Sequence, residues 1–166
     1  MTEKHVLVVL VEDKPGVMMR ITGLFTRRHF NIETISVGHT EKEGISRITL
    51  TVLGDKREIE QVMKQLNKVV EVLKVSRMDS DSIMRELALV KINTKDKDSK
   101  AELIQLVDIF RGRIVDVTKE SMVVEITGDG SKVDAFVSMV TSFGIKELAI
   151  TGVTAMSRGP KATEAK

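Results

Sequence analysis

One order of patterns is written twice along this chain of 166 residues, and that repetition restricts the fold more than any single motif does. In the first half, a continuous apolar run at 6–11 predicts a central strand buried on both faces. A helix-period stretch follows at about 15–28, with Met18, Ile21, Leu24 and Phe25 on one face. Strands are predicted at about 31–39 and 45–53, the latter alternating Ile48, Leu50 and Val52 with Arg47, Thr49 and Thr51. The polar, glycine-containing turn at 40–44 joins them as a hairpin. Asp55 caps a second helix whose Ile59, Val62, Met63 and Leu66 fall at i, i+3, i+4 and i+7, and a strand at about 69–76 closes the unit.

The order then repeats. A strand is predicted at 87–93. Ser99 with Glu102 forms a capping-box signature for a helix carrying Leu103, Leu106, Val107 and Phe110. Gly112 ends that helix, and 114–118 with 122–127 read as a hairpin pair. Ser131 starts a last helix with Val133, Phe136, Val137 and Val140, which stops at Gly144, and 148–156 is the final strand. The expected fold class is α+β: two tandem ferredoxin-like βαββαβ units, each an antiparallel sheet with its helices on one face. The expected division is a first domain at 1–78, a linker at 79–86, a second domain at 87–157 and a flexible tail at 158–166. Such a sheet leaves its second face bare, so dimerisation is the expected remedy.

Composition narrows the function. With five Phe, no Tyr and no Trp, the chain lacks the aromatic platforms on which nucleic-acid modules stack bases. A net charge of +2 with acids and bases interspersed gives no electrostatic footprint for nucleic acid or a membrane surface. The absence of cysteine excludes disulfides, thiolate catalysis and cysteine-based metal sites. The apolar run at 6–11 is too short to cross a bilayer and no signal peptide is visible, so a soluble cytoplasmic protein is expected.

The chemistry concentrates at residues 12–38. Pro15 suits a first helical turn, where its missing N–H costs nothing. Gly16 lets a ligand or another backbone approach the exposed amides of that turn. A helix N-terminus carries roughly half a positive charge and suits a carboxylate, and Asp13 beside it is a counter-charge for an ammonium group. A plainer reading stands beside this one, in which Asp13 caps the helix and Gly16 only makes the turn. Elsewhere no catalytic constellation is found. His5, His29 and His39 lack ligand spacing. GDGSK at 128–132 is too short for a phosphate loop and reads as a hairpin-to-helix turn. Arg111 and Arg113 either grip an anion or are solvated charges at a helix C-terminus.

The stretches PGVMMRITGLFTRRHFNIETISVG, SRITLTVLGD, QVMKQLNKVVEVLKV, LVKI, IFRGRIVDVT, KVDAFV and VTAMSRG, in this order and spacing, carry a resemblance. The N-terminal half resembles an ACT domain, the small-molecule-binding module of many amino-acid-regulated proteins. Over nearly the whole chain the sequence is similar to the small regulatory subunits of acetolactate synthase (acetohydroxyacid synthase). The resemblance implies a non-catalytic chain that dimerises through its ACT domain, binds and activates a catalytic large subunit, and confers feedback inhibition by valine in branched-chain amino-acid biosynthesis. Thiamine diphosphate, FAD and magnesium would sit on the large subunit and none on this chain. Carried over, the effector site comprises Asp13, Gly16, Val17, Met18, Asn31 and Ile32. The amides of 16–18 would receive the carboxylate, Asn31 of the other protomer the polar end, and Val17 and Ile32 would line an apolar pocket. The family pattern often has Asn where this chain has Asp13, and a smaller polar residue at Met19. An alternative is an amino-acid-sensing ACT module that regulates a different enzyme or a transcription factor, although no helix-turn-helix segment is apparent.

Overall fold

In the computed structural model, which describes residues 3–165, the apolar run lies inside β1 (Glu3–Glu12). By packing, the described residues divide into two compact units, 3–84 with 152–165 and 85–151. The first unit continues with α1 (Val17–Arg27), β2 (Ile32–His39), β3 (Ile45–Gly54), α2 (Lys56–Leu66) and β4 (Val72–Arg77). Its sheet order is β2-β3-β1-β4, with antiparallel pairs throughout. β1 lies between two neighbours, which is why its run is apolar on both sides. Leu7, Val9 and Val11 pack toward Ile21 and Phe25 of α1 and Ile59, Val62 and Leu66 of α2. Asp55 caps α2 as expected and forms a full capping box with Glu58.

The other face of this sheet is not wholly bare. Val6 and Val8 pack with Met78, Val153 and Ala155 in a second apolar cluster, so the chain's own C-terminal segment covers part of it. This changes the expected last strand. Instead of one strand at 148–156 there are β8 (Ile145–Ile150) and β9 (Thr154–Met156). The break is built by two residues. The Thr151 N–H donates to the Leu87 carbonyl at 2.9 Å and its hydroxyl accepts from the Leu87 N–H at 3.0 Å, ending β8. Gly152 then passes so close to β2 that a Cβ on it would sit 2.5 Å from the Ile35 carbonyl oxygen. Residues 152–157, expected with the second domain, thus pack in the first unit. Met78 is buried there, its N–H bonded to the Val6 carbonyl at 2.9 Å.

The second unit is built on β5 (Ile83–Asn93), α3 (Lys97–Ile109), β6 (Arg113–Val117), β7 (Ser121–Gly128), α4 (Gly130–Val140) and β8, in sheet order β6-β7-β5-β8. β5 begins inside the segment expected to be linker. Ala88, Val90 and Ile92 face Leu103, Val107 and Phe136, and Phe110 meets Phe136 edge-to-face at 5.4 Å. Both helix starts lie earlier than expected. Asp96, not Ser99, caps α3 by accepting the Ser99 N–H at 2.7 Å. Asp129, not Ser131, caps α4 by accepting the Lys132 N–H at 2.9 Å. In each case an aspartate two or three residues upstream reaches the third amide of the helix, which displaces the serine as cap. The GDGSK segment is the turn from β7 into α4.

Candidate functional site

α1 starts differently from the other α-helices. Its N-cap is Gly16 in the left-handed region, φ 87°, and no side chain caps it. α2, α3 and α4 are each closed by an aspartate carboxylate, from Asp55, Asp96 and Asp129. The positive φ is what requires glycine here, since a Cβ at this position would meet nothing within 4 Å. Pro15 consequently lies in the turn before the helix rather than in its first turn. The Arg20 N–H closes the helix onto the Gly16 carbonyl at 3.1 Å, and the Val17 N–H reaches the Lys14 carbonyl only at 3.4 Å. The result is an exposed, uncapped helix N-terminus, which carries a partial positive charge and has no anionic side chain of its own at the cap.

Asp13 does not cap that helix. Its N–H donates to the Gly44 carbonyl at 2.8 Å, and its carboxylate lies 3.6 Å from His39 Nδ1. His39 was legible in the sequence only as an isolated histidine. It reaches Asp13 because β2 runs back antiparallel to β3 and ends beside the β1–α1 turn. Lys14 pairs with Glu12, and that hydrogen bond, with the Glu12 charge second, raises the ammonium above its ordinary value. Arg20 pairs with the buried Glu71.

The remaining predicted residues are spread. Val17 is buried in the helix–sheet core, so only its backbone faces the turn. Met18 and Ile32 are half-buried against the same core, and Met19 is 78% exposed. Asn31 is exposed just after α1, at the end of the helix remote from Gly16. Eleven residues of α-helix span about 16 Å. A ligand of amino-acid size on Gly16 is therefore too short to reach Asn31 of the same chain, and Asn31 can meet it only from a second copy. Arg111 has φ 53° and ends α3, its N–H on the Asp108 carbonyl at 3.0 Å, while Arg113 lies exposed in β6.

Among the described residues no group of three or more His, Cys, Asp or Glu could hold a metal ion, and no helix is long and apolar enough to cross a membrane.

Comparisons with known proteins cover both units. Residues 85–159 match the family model described as small subunit of acetolactate synthase, and residues 7–74 match the AHAS small subunit-like ACT domain. The chain is 51% identical over 160 residues to a probable acetolactate synthase small subunit of Methanothermobacter thermautotrophicus, covering 96% of this chain and 95% of the relative. It is 45% identical over 158 residues to the acetolactate synthase small subunit of Bacillus subtilis, covering 94% and 91%. Its fold is similar to the crystal structure of the Thermotoga maritima acetolactate synthase small subunit, with a TM-score of 0.89 at 44% identity, over 96% of this chain and 99% of that one.

Proposed function

Because this chain belongs to the acetolactate synthase small-subunit family, we propose that it is the non-catalytic regulatory partner of an acetolactate synthase large subunit, raising that subunit's activity and conferring feedback inhibition by valine. Thiamine diphosphate, FAD and magnesium belong, on this reading, to the large subunit. The observation that carries the site is the start of α1, where Gly16 replaces the aspartate that closes the other three α-helices.

The valine carboxylate takes the place of the missing cap, accepting hydrogen bonds from the backbone amides of 16–18. Asp13 faces the ammonium group from the same turn, with His39 Nδ1 3.6 Å from its carboxylate. Asn31 and Ile32 come from the second copy of a homodimer, because a single copy separates them from Gly16 by the length of α1. Met18 and Ile32 supply the apolar wall. Val17 contributes backbone only, since its side chain is in the core. An effector bridging two copies stabilises one arrangement of the dimer, and the linkage to the large subunit needs a coupling of only about 1–3 kcal/mol.

Isothermal titration of the chain with L-valine, with D-valine and L-leucine as controls, tests the site. Stereospecific binding at one site per chain or per dimer is expected. Equal heats for both valine enantiomers would defeat the reading, because carboxylate, ammonium and side chain must each find a separate partner.

A further inference from the structure

We propose that the cavity between the β2–β3 hairpin and the C-terminal segment binds a small oxyanion, a carboxylate or a phosphate group, through Arg47 and Lys42. The cavity has a volume of about 200 Å³ and is lined by Leu10, His39, Lys42, Arg47, Met156 and Thr163, among others. It lies entirely within the first unit, on the sheet face opposite α1 and α2.

Arg47 is the reason. It sits half-buried in β3, and its Nη2 donates to the Ala155 carbonyl at 2.5 Å. Its Nε is buried with no hydrogen-bond partner, and among the described residues no carboxylate lies within ion-pair distance of it. A guanidinium has five N–H donors, and clamping one carbonyl of the C-terminal segment uses one of them. A neutral donor would do that task without the cost of taking a full charge out of water. Burial depresses the Arg47 guanidinium from its ordinary value, and the charge of Glu41 offsets part of this from the cavity rim. Lys42, exposed in the hairpin turn, and His39 add a second cation and a further donor on the same wall as the Glu41 carboxylate, while the Thr40 hydroxyl is engaged by the Lys42 and Ile45 carbonyls. An oxyanion there would meet Arg47 and Lys42 together and add to the partial compensation that Glu41 gives Arg47. His39 is shared with Asp13, so an anion also competes for the partner of the effector turn. That link rests on the valine reading above, whereas the anion site does not.

The test is titration of the full chain, without amino acids, with inorganic phosphate and separately with acetate, against chloride at equal ionic strength. Saturable binding of one of them is expected, and which one binds identifies the source of the oxyanion. Affinity should fall about tenfold in Arg47→Gln and severalfold in Lys42→Gln. If Arg47→Gln fails to fold by circular dichroism, Lys42→Gln decides, since its side chain leaves the packed core untouched. No saturable binding of either anion, or binding unchanged in Lys42→Gln, overturns the proposal. A negative result leaves the valine titration unaffected, so the two readings fail separately.

Discussion

The first helix of each unit occupies the same place in the same βαββαβ order, yet α1 and α3 begin in opposite ways. α3 supplies its own anion: Asp96 accepts the Ser99 N–H at 2.7 Å, and the carboxylate pKa lies below its ordinary value chiefly because of that bond. α1 has Gly16 at φ 87° and no side-chain cap. A repeated fold that satisfies its helix start internally in one copy and leaves it open in the other keeps an exposed helix N-terminus in only one of them. The sheets differ in parallel. In the first unit the face away from the helices holds Val6 and Val8 under Val153 and Ala155. In the second, the matching face carries Lys91 paired with Glu147 at 3.0 Å beside an exposed Leu89.

The contrast can be broken most forcefully at Gly16. Gly16→Asp gives α1 the carboxylate that α3 already has, and places it where the effector's own would sit. Valine inhibition of the enzyme reconstituted with its large subunit should vanish while activation persists. Retained inhibition would move the effector site away from α1. Next in size is Gly152→Ala, whose Cβ would lie 2.5 Å from the Ile35 carbonyl. Overpacking of this kind costs about 1–3 kcal/mol, so the urea midpoint of the first unit should fall. An unchanged midpoint would mean that the cover over Val6 and Val8 is loosely held. Asp96→Ala removes the cap of α3 and should lower the stability of the second unit, seen as faster hydrogen exchange at the amides opening α3 and no change at α1. The smallest effect is that of pH. Asp96 and Asp129 have folded-state values lowered from 3.8, so their stabilisation is complete above that value and is lost as pH falls through the lowered one. Protection factors at the starts of α3 and α4, relative to the intrinsic exchange rate at each pH, should therefore fall in acid below about pH 4, while the start of α1, with no carboxylate cap, should not follow that curve.

Much of this was legible beforehand. The period-2 and period-3.6 apolar patterns fix the strands and helices, because burying one face of each element is the dominant gain in folding. The continuous run at 6–11 announced a strand with neighbours on both sides. The Pro-Gly turn before a helix announced an unusual helix start, although Pro15 proved to precede the helix. What the patterns misplaced were helix caps and chain ends. Asp96 and Asp129 compete with nearby serines for the same amides, and only the path of the backbone decides which oxygen reaches the third one. The final strand reads as continuous from 148 to 156 because local propensity carries no record of Leu87 or of the Ile35 carbonyl, which break it at Thr151 and Gly152.

The sequence by itself determined the two βαββαβ units, their cores and a Pro-Gly turn at the start of the first helix, since these follow from local periodicity and backbone preference. Only the tertiary structure decided that Asp13 faces His39 rather than the helix, and that Arg47 is half-buried beneath the C-terminal segment without an ion-pair partner among the described residues. Those are relations between residues far apart in the chain, and they are set by how strands return and pack, which no local pattern encodes.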